Sequence, residues 1–230
     1  MKKISLFLSM LLLMLSARSQ NCEGFFPVKQ GTVIEMQSFN TKDKLQATNR
    51  QTILSVNSVS DGLAIKVKSE QFDDKNKPVF EQELEMRCIG DVFYMDMKNF
   101  LDPKTMSGFQ DMEVTVSGAD LEMPGAMQVG QTLKDGDIKM AVNSSGMNIM
   151  NLEVKIYNRK VEAIETITTP AGTFECFKVS YDTEFRTMFK ITAKGTEWIS
   201  RNVGTVKSEQ YDKNGKLTGY TLLSKFSNMD

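Results

Sequence analysis

Residues 63–97 read LAIKVKSEQFDDKNKPVFEQELEMRCIGDVFYMDM. Leu63, Ile65 and Val67 recur at every second position, as do Leu84 and Met86 with Phe80 in the next run, and Phe93, Met95 and Met97 in a third. Apolar groups at that spacing share one face only in an extended strand, since a helix would scatter them around its surface. Between the first two runs stands FDDKNKP, rich in residues that accept tight-turn geometry, so the two strands fold back on each other as a hairpin.

The same alternation extends through the rest of the chain. Strands are expected at about 112–117, 137–143, 149–157, 160–168, 174–182, 187–194, 196–200, 203–211 and 217–226, each bounded by Gly, Asp, Asn or Pro. Helical periodicity is nearly absent. One short helix is expected over Pro103–Phe109, with Asp102 as N-cap and Pro103 at the first helical position.

An internal echo organises these strands. KSEQFDDKNK at 68–77 and KSEQYDKNGK at 207–216 are nearly one string, and GTVIEMQSFNTKDKL at 31–45 is a weaker third version. Each is a polar strand ending in an aromatic (Phe39, Phe72, Tyr211), then a turn, then a returning strand. Three such hairpins at both ends of the chain imply one continuous sheet. The fold class expected is mainly β: a curved antiparallel sheet forming a partly closed barrel or clam, with one short helix or none. The region 102–136 is the least regular and is where a boundary between lobes would fall.

The chain opens MKKISLFLSMLLLMLSARSQ, where Lys2 and Lys3 precede an apolar run from Ile4 to Leu15. This is the pattern of a secretory signal peptide, assigned to residues 1–20, with a single all-β domain over 21–230. The apolar run is shorter than the roughly 20 residues that a membrane-crossing helix needs, so no transmembrane segment is expected. Export implies the periplasm or the cell surface. Without the leader, 25 basic side chains face 29 acidic ones with no long run of either sign, so neither nucleic acid nor an anionic membrane surface is an expected partner.

Cys22, Cys88 and Cys176 follow the leader. In an oxidising compartment this means one disulfide and one spare thiol. Cys22 with Cys88 is the favoured pair, because Cys176 lies in the alternating strand FECFKV and reads as a small core side chain. Lipidation is the competing reading of Cys22, but a lipobox places a small residue before the cysteine and Asn21 stands there.

The stretches NCEGFFPVKQGTVIEMQSF (21–39), LEMPGAMQVGQTLKDG (121–136), ETITTPAGTFECFKVSYD (165–182) and EWISRNVGTVKSEQYDKNGKLTGYTLLSKF (197–226) together resemble the TapB-family exported proteins of Gram-negative bacteria. The resemblance spans the chain beyond the leader and implies a curved, partly closed antiparallel sheet. That family carries no assigned catalytic residues, so none are transferred. A looser likeness is to periplasmic lipoprotein carriers of the LolA and LolB type, whose half-open barrels hold acyl chains.

The chain has no histidine, which removes Ser-His-Asp and Cys-His triads and His-based zinc sites. Glu81, Glu83 and Glu85 share the face opposite Leu84 and Met86, which reads as a solvated strand face rather than a carboxylate pair. The Asp residues at 61, 73, 74, 135 and 137 sit in turn-like strings without a calcium-loop pattern. No enzymatic activity, cofactor or metal is expected. Of 16 methionines, 13 follow the leader, and without histidine they suit an adaptable apolar lining better than a copper site. Trp198 reads as a structural anchor.

Two functions fit: binding of a lipid or other apolar or amphipathic molecule inside the barrel, or docking on another envelope protein. If the interior holds a pocket, Met95, Met97, Met140 and Phe177 are its expected lining by alternation. A filled interior and an open one both satisfy the pattern.

Overall fold

The computed structural model describes residues 22, 24–101, 108–109 and 112–228. Thirteen strands follow in order: β1 (Val33–Asn40), β2 (Leu45–Val59), β3 (Gly62–Asp73), β4 (Pro78–Ile89), β5 (Val92–Met95), β6 (Glu113–Ala119), β7 (Leu121–Pro124), β8 (Gly136–Ser144), β9 (Met147–Thr169), β10 (Gly172–Arg186), β11 (Lys190–Ser200), β12 (Gly204–Asp212) and β13 (Leu217–Ser227). They form one antiparallel sheet in the spatial order β6-β8-β9-β10-β11-β12-β13-β1-β2-β3-β4-β5-β7. The two outermost strands, β6 and β7, are one extended segment broken only at Asp120. Its first half pairs with β8 (Ala119↔Asp137) and its second with β5 (Leu121↔Met95). The sheet therefore curls until its edges meet on a shared strand, nearly closing a barrel and covering edges that would otherwise invite pairing.

Close backbone approach marks the closing strand. A Cβ at Gly118 would lie 2.1 Å from the carbonyl oxygen of Asp137, so only glycine fits there. Arg87 on β4 reaches across to Asp120 at 2.7 Å.

The three echoing sequences form adjacent, equivalent hairpin tips. Oδ1 of Asp73 accepts from Lys75 N (2.9 Å) and Lys77 N (2.8 Å), and Oδ1 of Asp212 from Asn214 N (2.8 Å) and Lys216 N (2.9 Å). Asn40 does the same for Lys42 N (2.9 Å) and Lys44 N (3.2 Å). The fourth residue of each turn, Asp43, Asn76 or Gly215, takes positive φ. These backbone hydrogen bonds hold the Asp73 and Asp212 carboxyls below their usual range, the bonds from Lys77 and Lys216 contributing most. Strand alternation puts these tips at the same end as the β8–β9 and β10–β11 tips.

The opposite end is plugged. Cys22 and residues 24–32 pack into the barrel there, with Phe25 edge-on to Phe177 at 5.4 Å between ring centroids and Arg201 stacked over Phe25 at 5.1 Å. Cys22 and Cys88 are disulfide-bonded, fastening the plug to the end of β4. The Cys22 sulfur is thereby committed to Cys88. Cys176 is the free thiol, fully buried, and desolvation pushes its pKa up to about 11, which keeps it unreactive.

Three details differ from the sequence reading. The expected helix over Pro103–Phe109 falls mostly outside the described residues; Met97–Phe100 instead forms a 3-10 turn, N-capped by Asp96, whose side chain accepts from Lys98 N. The runs 149–157 and 160–168 are a single strand, β9, interrupted by a bulge at Asn158 with φ 55°. The break expected at 182–187 falls later, at 187–189, because β10 runs on to Arg186; the break expected at 194–196 is absent, because β11 passes unbroken through Gly195.

Candidate functional site

Between the plug and the hairpin tips the barrel holds a cavity of about 510 Å³. A well-packed interior leaves few voids larger than a water molecule, so side chains do not fill this one. Its wall is mainly apolar: Phe26, Ile34, Met36, Met86, Phe93, Met95, Met123 and Val179 all contribute. The lining extends from buried Phe25 and Gly204 at the plug to exposed Lys194 and Gln210 on the tip side, which sets the mouth toward the tips.

Besides scattered Gln51, Thr183, Thr205 and Thr221, a polar cluster interrupts the wall. Arg159, Tyr181 and Glu197 come from adjacent strands β9, β10 and β11. The Asn158 bulge explains the first: Ile156 points inward, and the extra residue shifts the alternation so that Arg159 and Val161 do too. Arg159 is 3% exposed. Its Nη1 donates to the carbonyl oxygens of Glu122 (2.8 Å) and Lys134 (2.6 Å), tying β9 to the closing strand and to the segment leading into β8. Among the described residues, its Nη2 and Nε have no protein hydrogen-bond acceptor.

Tyr181 pairs across the sheet with Gly195, and a Cβ at Gly195 would lie 2.2 Å from the tyrosine ring. The glycine thus lets the ring lie flat over β11, where its hydroxyl donates to Glu197 Oε1 at 3.3 Å. Desolvation raises the Glu197 carboxyl above its ordinary range, with the Arg159 charge and the Tyr181 hydrogen bond acting against it. The side chain is deep in the protein yet half-exposed to the cavity. The spot presents a fixed cation with unused hydrogens, a hydroxyl and a carboxyl that holds its proton more tightly than it would in water.

The DUF3108-like family model matches residues 29–223. The chain belongs to the DUF3108-like family. Two solved structures share the fold of this DUF3108-like chain. A Bacteroides fragilis protein described as exported and of YmcC-like fold is 25% identical, with a TM-score of 0.71 over 90% of this chain and all of its own. A Parabacteroides distasonis protein described as a lipoprotein is 26% identical, with a TM-score of 0.72 over the same shares. No curated protein matches the chain.

Of the four residues expected to line a pocket, Met95 lines this cavity. Met97 and Met140 are buried in a separate cluster with Ile138 and Val142. Met97 leaves the strand face because Asp96 starts the 3-10 turn there. Phe177 is spent on packing against the Phe25 plug. Glu81, Glu83 and Glu85 are exposed, and Glu81 and Glu83 pair with Lys68 and Lys66. Trp198 is buried; its Nε1 donates to Glu165 (2.6 Å) and Lys207 lies over its ring, a packing role away from the cavity.

A carboxyl whose pKa is raised by folding binds its proton more tightly in the native state than in the unfolded chain. Stability contributed by Glu197 is therefore present below its unfolded pKa and declines as pH rises toward the folded value. Thermal melts across pH 5–8 are expected to fall with pH in the native protein and to be flatter in Glu197→Gln. Parallel curves for the two proteins would refute the assignment.

Proposed function

We propose that this DUF3108-like protein is an exported, non-catalytic envelope protein that binds an amphipathic molecule, a lipid or similar, in its barrel. The observation that carries this is the open, mainly apolar 510 Å³ cavity with a polar cluster in its wall at Arg159, Tyr181 and Glu197. Its volume lies within the range of small-molecule sites, and mostly apolar walls with few polar groups are their usual character. The apolar part of the ligand lies along Met95, Met123 and Val179, and its polar head accepts from Arg159.

The leader-like residues 1–20 and the descriptions of the two solved relatives support export. The narrower placing among TapB-type proteins rests on the sequence stretches alone. The lack of any histidine supports a role in binding rather than turnover.

Titration with a dansyl-labelled fatty acid tests the reading. The protein is expected to enhance the fluorescence at one site per chain. Ala193→Trp, which projects an indole into the cavity, is expected to weaken that binding at least about tenfold. Equal affinity in wild type and variant would place the probe elsewhere and refute the proposal.

A further inference from the structure

The β10–β11 hairpin carries an apolar tip into solvent. Met188 is 91% exposed and Phe189 75%, two neighbouring residues at the turn. Below them Phe185 and Ile191 face each other across the hairpin, 42% and 61% exposed. Strand periodicity puts that pair on the same face as Thr183 and Ala193, which line the cavity. An apolar strip thus runs from the cavity wall to the end of the hairpin. The hairpin also overhangs its neighbour, because β11 continues from Thr192 to Lys190 beyond its last pair with β12, Ala193↔Asp212.

The rim around this tip is basic. The β12–β13 tip beside it presents Lys213 and Lys216, and further round the same end the β1–β2 and β3–β4 tips present Lys42 and Lys44, and Lys75 and Lys77, none of them ion-paired among the described residues. Those turns also hold four aspartates against the six lysines: Asp73 and Asp212 cap backbone N–H groups, Asp43 accepts from the Tyr220 hydroxyl, and Asp74 is exposed, so the tips keep a net positive balance. Glu184, at the base of the apolar tip, is buried and paired with Arg186 and Lys190.

We propose that this rim docks the mouth of the barrel on an anionic phospholipid surface, with Met188 and Phe189 inserted among the lipids. Amphipathic side chains at a bilayer interface combined with lysines near anionic headgroups give additive attraction. Four side chains on one narrow hairpin present far less than the roughly 800 Å² per partner of a stable protein interface, so a second folded chain fits the tip poorly. The inference holds whether or not the cavity is occupied.

Co-sedimentation of the mature protein with vesicles tests it, with no cavity ligand added. The protein is expected to pellet with phosphatidylglycerol–phosphatidylethanolamine vesicles, to bind phosphatidylcholine vesicles much less, and to be released by high salt. Phe189→Ser is expected to weaken binding at least about tenfold without changing the melting temperature, because the ring touches solvent and not the core. Wild type left in the supernatant with both vesicle types would overturn the proposal. So would a variant that binds as wild type does, or one whose only change is the loss of a dimer in vesicle-free sedimentation equilibrium.

Discussion

Replacing Cys22 and Cys88 by serine is expected to lower the stability of the protein by about 4 kcal/mol, the chain-entropy value for a loop of this length. The two residues are 66 positions apart, and the bridge removes that loop's freedom from the unfolded chain. Both are buried in one cluster with Phe93 and Ile65, so the serine hydroxyls would also be desolvated. The effect on the cavity is expected to be as large. Cys22 and residues 24–32 plug one end of the barrel, and Phe25 and Phe26 form part of the cavity wall. Freed from β4, this segment is held by contacts such as the bond from Asn202 N to Gly24 O (2.9 Å) and the Phe25–Phe177 packing. Denaturant unfolding gives the first quantity. Probe binding by the reduced protein gives the second, and unchanged affinity after reduction would show that the plug does not shape the site.

Arg159→Met is expected to cost about 2–4 kcal/mol, because it strands two buried carbonyl acceptors at once. Those carbonyls belong to Glu122 on the closing strand and Lys134 ahead of β8, so the guanidinium joins three parts of the wall. Arg159→Lys is expected to recover only part of the loss, since an ammonium lacks the planar fork and the extra donors turned to the cavity. Both variants are also expected to weaken a ligand with a hydrogen-bond-accepting head more than a plain hydrocarbon probe. Urea midpoints and paired titrations read the two effects; a destabilisation under 1 kcal/mol would show that water satisfies these carbonyls as well as Arg159 does.

Strand alternation made the fold legible. Leu63, Ile65 and Val67 against Leu84 and Met86 are paired strands β3 and β4, and the repeated Asx-Lys turns are three equivalent tips. The first half of the closing strand was legible at 112–117, but the second half escaped notice because Leu121–Pro124 is four residues long, too short for alternation to register, and its partners lie on β5, far back in the chain. Much of the polar spot was hidden for a different reason. In YNRKVE (157–162) nothing in the residue pattern marks a charged side chain as inward-facing, and only the positive φ of Asn158 re-aims Arg159 inward. Asparagine tolerates that conformation, but its presence does not announce it. Gly195 read as a break between strands, whereas it is the floor under the Tyr181 ring. Met95 was legible as an inward side chain; the diversion of Met97 depends on the Asp96 cap, and that of Phe177 on a plug segment distant in sequence.

Native mass spectrometry of the protein purified without detergent from its own host addresses the barrel interior most directly. The spectrum is expected to show the disulfide-bonded chain carrying one apolar or amphipathic molecule, which is lost on denaturation and absent from Ala193→Trp. A bare polypeptide mass, together with no uptake of added fatty acid, would contradict a ligand-binding barrel.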